Sequence, residues 1–357
     1  MLKTHQKSLK KNEEKHRFIP LARPHGWQSD GADFSGDHVK CYCRKTFKMM
    51  TKSILTVLIT LMALSLSAQD KNDGETFNLS KQGAHYMFTA SINGTADATI
   101  LVESGIPAML FDSAYVFSSG VLSEMNLSVV GEAEKLNLGG RVYKITYKMN
   151  GMVRIGNSTS YIGEVFVLSH YDYGNYEVAV PVMYLHNELD NGSRIVNLDL
   201  GNRRLQMLSN ASLNDKKSDY SMIPMNTEAY LGMFAVETSL MLDDGVKTRT
   251  LSGNFLIDLG NPELLFLIQQ SDEVQRFLSD NADLELREAL APNGQVMGQF
   301  IITEQSQLCG VTFPNAVVVI TKNLPRFTTP GDIGMKFFEH IDAVFDYDRS
   351  VVYVKGK

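Results

Sequence analysis

Along most of the chain, apolar residues alternate with polar ones or form short runs, and Gly, Asn and Asp punctuate the runs. The segment 141–156, "RVYKITYKMNGMVRIG", is typical: β-branched and aromatic residues recur every second position up to a glycine. Such a period of two predicts strands joined by tight turns, so the fold class expected is all-β with a few short helices. One helix is predicted over 271–280, "SDEVQRFLSD", with Ser271 as N-cap and Glu273 in the first turn. A matching helical turn is expected in "SAYVFSSGVL" at 113–122.

The pattern also occurs twice. Residues 100–111, "ILVESGIPAMLF", and 255–266, "FLIDLGNPELLF", lie 155 positions apart. Both follow one rule: three apolar residues, a carboxylate, any residue, Gly, any residue, Pro, any residue, an apolar residue, Leu, Phe. Downstream, "VRIGNSTSYIGEVFVL" at 153–168 matches "SQLCGVTFPNAVVVI" at 306–320 in type. "RIVNLDLGNRRLQML" at 194–208 matches "DAVFDYDRSVVYV" at 342–354, with Asp199 and Asp346 in equivalent places. This repetition predicts two homologous lobes, 84–210 and 228–357, joined by a linker at 211–227 and preceded by a polar lead-in at 69–83.

One stretch departs from the β pattern. Residues 54–68, "ILTVLITLMALSLSA", are continuously apolar, follow Lys52 and end on Ser67 and Ala68. That layout is expected of a signal peptide over 49–68 cleaved near Ala68, because a membrane-spanning helix needs roughly 20 such residues. Residues 1–48 are rich in Lys, Arg and His without apolar periodicity, and are expected to be a disordered extension ahead of a start at Met49 or Met50. Taking away 68 residues removes twelve of the 34 basic and five of the 40 acidic side chains, leaving 22 against 35, a net charge of −13. So acidic a chain is a poor partner for nucleic acid or an anionic membrane, and neither is expected for the mature form. Export to a periplasm or beyond the cell is the expected localisation.

Of three cysteines only Cys309 lies beyond residue 68, so a mature chain of 289 residues relies on its core rather than a disulfide. Cys309 is expected to be a buried small apolar residue within a strand, and His85, His170, His186 and His340 are scattered. No HExxH, CxxC pair, GxSxG or phosphate-cradling glycine loop occurs, so no metal and no cofactor is expected.

Two β lobes, each with an apolar strand delivering a carboxylate into a Gly turn, resemble the bilobal aspartic proteases of the pepsin type and, lobe by lobe, the retropepsin-like family. The segment 332–354, "DIGMKFFEHIDAVFDYDRSVVYV", looks like that family's closing element, in which Asp332-Ile333-Gly334 passes behind the active loop before a short helix and a last hairpin. The resemblance implies two pseudo-symmetric β-barrel lobes whose carboxylates meet about 3 Å apart and share a proton. One carboxylate then acts as base on a water while the other, protonated, polarises a peptide carbonyl. Carried over by position, the dyad is Glu103 and Asp258, supported by Ser104 and Gly105 in one loop and Leu259 and Gly260 in the other. A substrate-covering flap falls near Gly139 and Gly140, with a counterpart near Gly294.

The sequence departs from the family's Asp-Thr/Ser-Gly pattern differently in each loop. Lobe one keeps Ser104 but carries Glu103, and lobe two keeps Asp258 but carries Leu259; Pro181 also stands where lobe two has Gly334. Glutamate places its carboxyl roughly 1.5 Å further out than aspartate, and displacements of about 1 Å can cost a hundredfold in rate. Two functions follow from this: an exported aspartic-type endopeptidase with a Glu/Asp dyad and an acid-side optimum, or an inactive relative that binds a peptide or protein in the same cleft. An unrelated β protein whose repeat is purely structural is the third reading.

Overall fold

The two segments that repeat in sequence build the same five-stranded order in space. In lobe one, strand His85–Ile92 pairs with Ala96–Glu103, which pairs in parallel with Val178–Pro181; next come Met109–Asp112 and Thr159–Ser169. In lobe two the order is Met233–Asp243, Thr248–Ile257, Gly331–Ile333, Leu265–Ile268 and Val317–Thr321, again with the second and third strands parallel. The computed structural model describes residues 72–357, apart from 122–124, 131–133, 139–140, 170–174, 231–232, 291–295 and 322–328. The described residues belong to one compact unit.

Each strand that carries a carboxylate ends in a run of buried residues, Ile100–Val102 in one lobe and Phe255–Ile257 in the other. A strand flanked by neighbours on both edges and covered on both faces reads as continuously apolar rather than alternating. The two closing hairpins, Ile195–Asp199 with Arg204–Met207 and Ile341–Asp346 with Val351–Gly356, meet edge to edge. Their shared register runs from Ile195 opposite Asp346 to Leu198 opposite Ala343, so one sheet bridges the lobes. The outer strands of this bridge are Thr76–Asn78, from within the polar lead-in, and Ser221–Tyr230, which begins inside the stretch read as a linker. Helix Asn210–Lys216 covers the bridge, with Leu213 packed on Ile195, Val344 and Tyr353.

Three of the described α-helices form where polar caps precede short runs with buried apolar residues. Helix Asp272–Asp280 begins at Ser271, whose hydroxyl accepts from the Val274 N–H. Helix Ser113–Ser119 begins at Asp112, which accepts from Ala114, and ends at Gly120 in the left-handed region. Cys309, expected inside a strand, instead occupies a turn between Gln305–Leu308 and Val311–Pro314 at φ 52°. It is buried there beside Gly310, and burial pushes its thiol up to about 11, out of the range of a nucleophile at neutral pH.

Candidate active site

Glu103 is the last residue of its strand and Asp258 immediately follows the end of its own. Position Glu103 pairs with Pro181, and the Asp258 N–H donates to the Ile333 carbonyl at 2.9 Å, so both backbones are fixed by the strand behind them. The two loops then cross. The Glu103 carboxyl lies against Gly260, where a Cβ would stand 2.6 Å from Oε1 and 2.7 Å from Oε2. The Asp258 carboxyl lies against Gly105, where a Cβ would stand 2.8 Å from its Cγ. Real Cβ atoms do not approach so closely, so each lobe's acid rests on a surface that only the other lobe's glycine provides. Glu103, Ser104, Gly105, Asp258, Leu259 and Gly260, separated by about 155 positions in sequence, are thus one cluster.

A single hydroxyl ties the loops together. Ser104 Oγ donates to the Ile257 carbonyl at 2.9 Å and accepts from the Leu259 N–H at 2.8 Å, both in the opposite lobe. Leu259 has no hydroxyl to return the link; its side chain, 1% exposed, is buried in the shared core instead. The cross-link between lobes therefore runs one way only.

Burial dominates the electrostatics. Glu103 is 7% exposed, and desolvation, with the nearby charge of Asp258 second, pushes it up to about 8 against the opposing N–H groups of Gly105 and Ser104. Asp258 keeps some solvent exposure, yet desolvation raises it too, opposed by hydrogen bonds from the Gly260 and Asn261 backbone. Its Oδ1 accepts from the Gly260 N–H at 2.9 Å. Two carboxyls displaced upward beside each other hold at least one proton between them at neutral pH. That is the state in which one can act as base and the other as acid.

Two further residues join the site that the sequence did not single out as functional. Asn261 follows Gly260, and its side-chain amide donates to Asp332, a carboxyl 2% exposed on the strand behind the loop. The one signal available was that Asp332 stands where the family pattern calls for an apolar residue. The flap candidates are not placed. Gly139 and Gly140 join the paired strands Lys135–Leu138 and Arg141–Ile155, and Gly294 lies between Arg287–Leu290 and Val296–Ile302, but all three are outside the described residues. Among the described residues, no group of three or more His, Cys, Asp or Glu side chains could hold a metal ion.

No family model matches the chain, and no curated protein does. Solved structures do. The aspartic proteinase from Irpex lacteus aligns over 79% of this chain and 97% of its own at 9% identity, with a TM-score of 0.47. The basic 7S globulin from soybean aligns over 78% and 94% at 11% identity, with a TM-score of 0.47. Conglutin gamma, a basic 7S globulin from lupine seeds, aligns over 79% of this chain and 94% of its own at 11% identity, with a TM-score of 0.51. At such identities the likeness speaks to fold alone, and with the two matched lobes and their bridging sheet the chain has a bilobal, pepsin-like all-β architecture.

Proposed function

We propose that this chain is an exported aspartic-type endopeptidase in which Glu103 and Asp258 form the acid–base pair. The observation that carries the reading is the crossing of the loops, each carboxyl seated on the opposite lobe's glycine. Nothing in a purely structural repeat demands that two desolvated acids face each other across a pseudo-twofold axis, since burying like charges together is unfavourable. In the proposed reaction the pair holds one proton. Asp258, the more exposed and the shorter, takes a proton from a water as that water attacks a peptide carbonyl. Glu103, the better buried, donates its proton to the carbonyl oxygen, and the leaving amine is then protonated from the pair. No cofactor or metal is required. The substrate is a peptide or unfolded segment lying across both loops, and residues 49–68 direct the chain out of the cytoplasm.

The pair works only while it holds one proton, and Glu103 keeps its proton to about 8. Burial thus moves the expected range upward from strongly acid conditions towards neutrality. Cleavage of a mixed peptide library by residues 69–357, followed from about pH 3 to 9, tests this beside Asp258→Asn. Cleavage lost in the variant, with an alkaline limb near 8, is the expected result; cleavage unchanged by the variant would overturn it.

A second reading is favoured by Leu259. With the reciprocal link absent, the cleft could hold a peptide without aligning the pair for turnover. That reading expects no cleavage at any pH by either protein, with saturable peptide binding that Asp258→Asn leaves nearly unaltered.

A further inference from the structure

We propose that Asp332 is a positioning residue of this site: a third carboxyl, kept neutral in the interior, that anchors Asn261 and through it the loop bearing Asp258. The inference adds a residue to the proposed site, and its test needs no substrate, so it can fail independently of the peptidase reading.

Asp332 lies in the middle of strand Gly331–Ile333, opposite Leu256 on one side and Phe266 on the other. Among the described residues no Lys, Arg or His forms an ion pair with it. Its polar partner is Asn261, whose Nδ2 donates to Asp332 Oδ1 and also approaches the Asp332 carbonyl at 3.3 Å. The orientation of that amide is fixed from the other end, because Asn261 Oδ1 accepts from the Glu263 N–H at 2.8 Å. Asp332 Oδ1 is therefore an acceptor, and its other oxygen is left to carry the proton.

Asn261 is the hub of the loop. Its N–H donates to the Asp258 carbonyl at 3.1 Å, and its carbonyl accepts from the Met335 N–H at 2.7 Å at the start of helix Met335–Glu339. One residue beyond Asp332, the Ile333 carbonyl accepts from the Asp258 N–H. Asp258 is thus held at its N–H by one residue and at its C=O by another, both organised around Asp332.

The pseudo-twofold partner shows that the fold does not require this carboxyl. Leu101 pairs with Ala179 in lobe one as Leu256 pairs with Asp332 in lobe two, so an apolar methyl fills the equivalent place. An unpaired carboxylate in such surroundings is strongly disfavoured, which leaves the neutral acid as the resident form. Burial first and the charge of Asp258 second raise Asp332, in accord with that form. The charged group that acts on it is Asp258, with Glu103 beyond; Glu263 and Lys336, on the neighbouring loop and helix, pair with each other at the surface.

The test compares Asp332→Asn, which keeps the acceptor but cannot ionise, with Asp332→Ala, which removes it. As pH rises above the unfolded-state range, each buried neutral carboxyl raises the unfolding constant by about tenfold per pH unit until it ionises in the folded state. Asp332→Asn should remove one such factor from the alkaline limb of stability while the Gly260 and Asn261 amides stay protected from hydrogen exchange. Asp332→Ala should expose both amides by about tenfold or more. An alkaline limb as steep in Asp332→Asn as in the parent, or amide protection unchanged in Asp332→Ala, overturns the proposal. Should neither variant fold, carboxyl-13C aspartate in Asp258→Asn decides: one side chain still protonated near pH 7 is expected, and none overturns it.

Discussion

Ser104 is the residue on which the relation between the two loops depends most directly. Its hydroxyl satisfies two buried groups of the opposite lobe, the Ile257 carbonyl and the Leu259 N–H. Ser104→Ala leaves both unpaired in a place water does not reach, so stability should fall by about 1–3 kcal/mol, read as a lower urea midpoint at unchanged slope. Glu103 makes a prediction of opposite kind. Its folded value lies above its ordinary one of 4.5, so the folded state binds its proton more tightly than the unfolded chain does. The raised carboxyls thus make stability fall as the pH climbs, and the share of Glu103 in that fall runs from about 4.5 to about 8. Glu103→Gln should flatten part of that fall, the rest belonging to Asp258 and Asp332, which are raised in the same direction. Equal slopes for parent and variant in denaturant titrations across this range would mean that Glu103 is not buried as a neutral acid. These two residues were legible because they sit inside the repeated twelve-residue pattern. Asp332 was legible only in part: its strand was expected behind the loop and its place called for an apolar residue, but nothing local to an aspartate 74 positions from Asp258 shows that its carboxyl will hold Asn261.

At the scale of elements, the strand that passes behind each loop distinguishes the lobes. In lobe two it ends at Gly334, where a Cβ would meet the Glu263 carbonyl and stand 2.6 Å from Asn261 Cγ. The backbone at Gly334 is extended, so the constraint is one of space rather than of φ. Gly334 also donates its N–H to the Leu264 carbonyl at 3.1 Å. Lobe one has Pro181 at this place, which has no N–H to give and whose ring starts the short helical turn Val182–Tyr184. The substitution therefore gives up a hydrogen bond that lobe two keeps, although the helical turn begins directly after the equivalent residue in both lobes. Gly334→Ala should destabilise by at least about 1–3 kcal/mol and disturb the Asn261 amide, seen as lost protection in hydrogen exchange. Element types and order were readable from apolar periodicity, and Ser271 announced its helix because a cap's chemistry is local. The edges were not readable: Thr76–Asn78 is too short to show a period, and Ser221–Tyr230 is broken by Pro224 and then by polar residues, and each takes its place in the bridging sheet from a partner strand far along the chain.

At the scale of the molecule, the lobes share one interior. Phe88, Ile100 and Phe111 of the first and Phe255, Leu265 and Phe345 of the second belong to a single buried cluster, continued through the bridging sheet by Val196 and Leu198. Cross-lobe polar contacts add to it: Lys81 and Tyr86 both reach Glu339, and Arg194 binds Asp348. A carboxyl pair seated by crossing loops needs this arrangement, because neither carboxyl has its seat without the other lobe. Separating the lobes would uncover the edge of Ile195–Asp199 and its buried neighbours, and an exposed apolar sheet edge promotes association rather than independent folding. Residues 72–216 and 217–357, made as separate chains, are each expected to lack a cooperative thermal transition and to aggregate. Mixed during refolding, they should recover one transition and the strand-rich circular dichroism of the intact protein. Two independent transitions from the separate halves would mean that the shared core contributes little, and that the seating of Glu103 on Gly260 is a contact between lobes each stable alone.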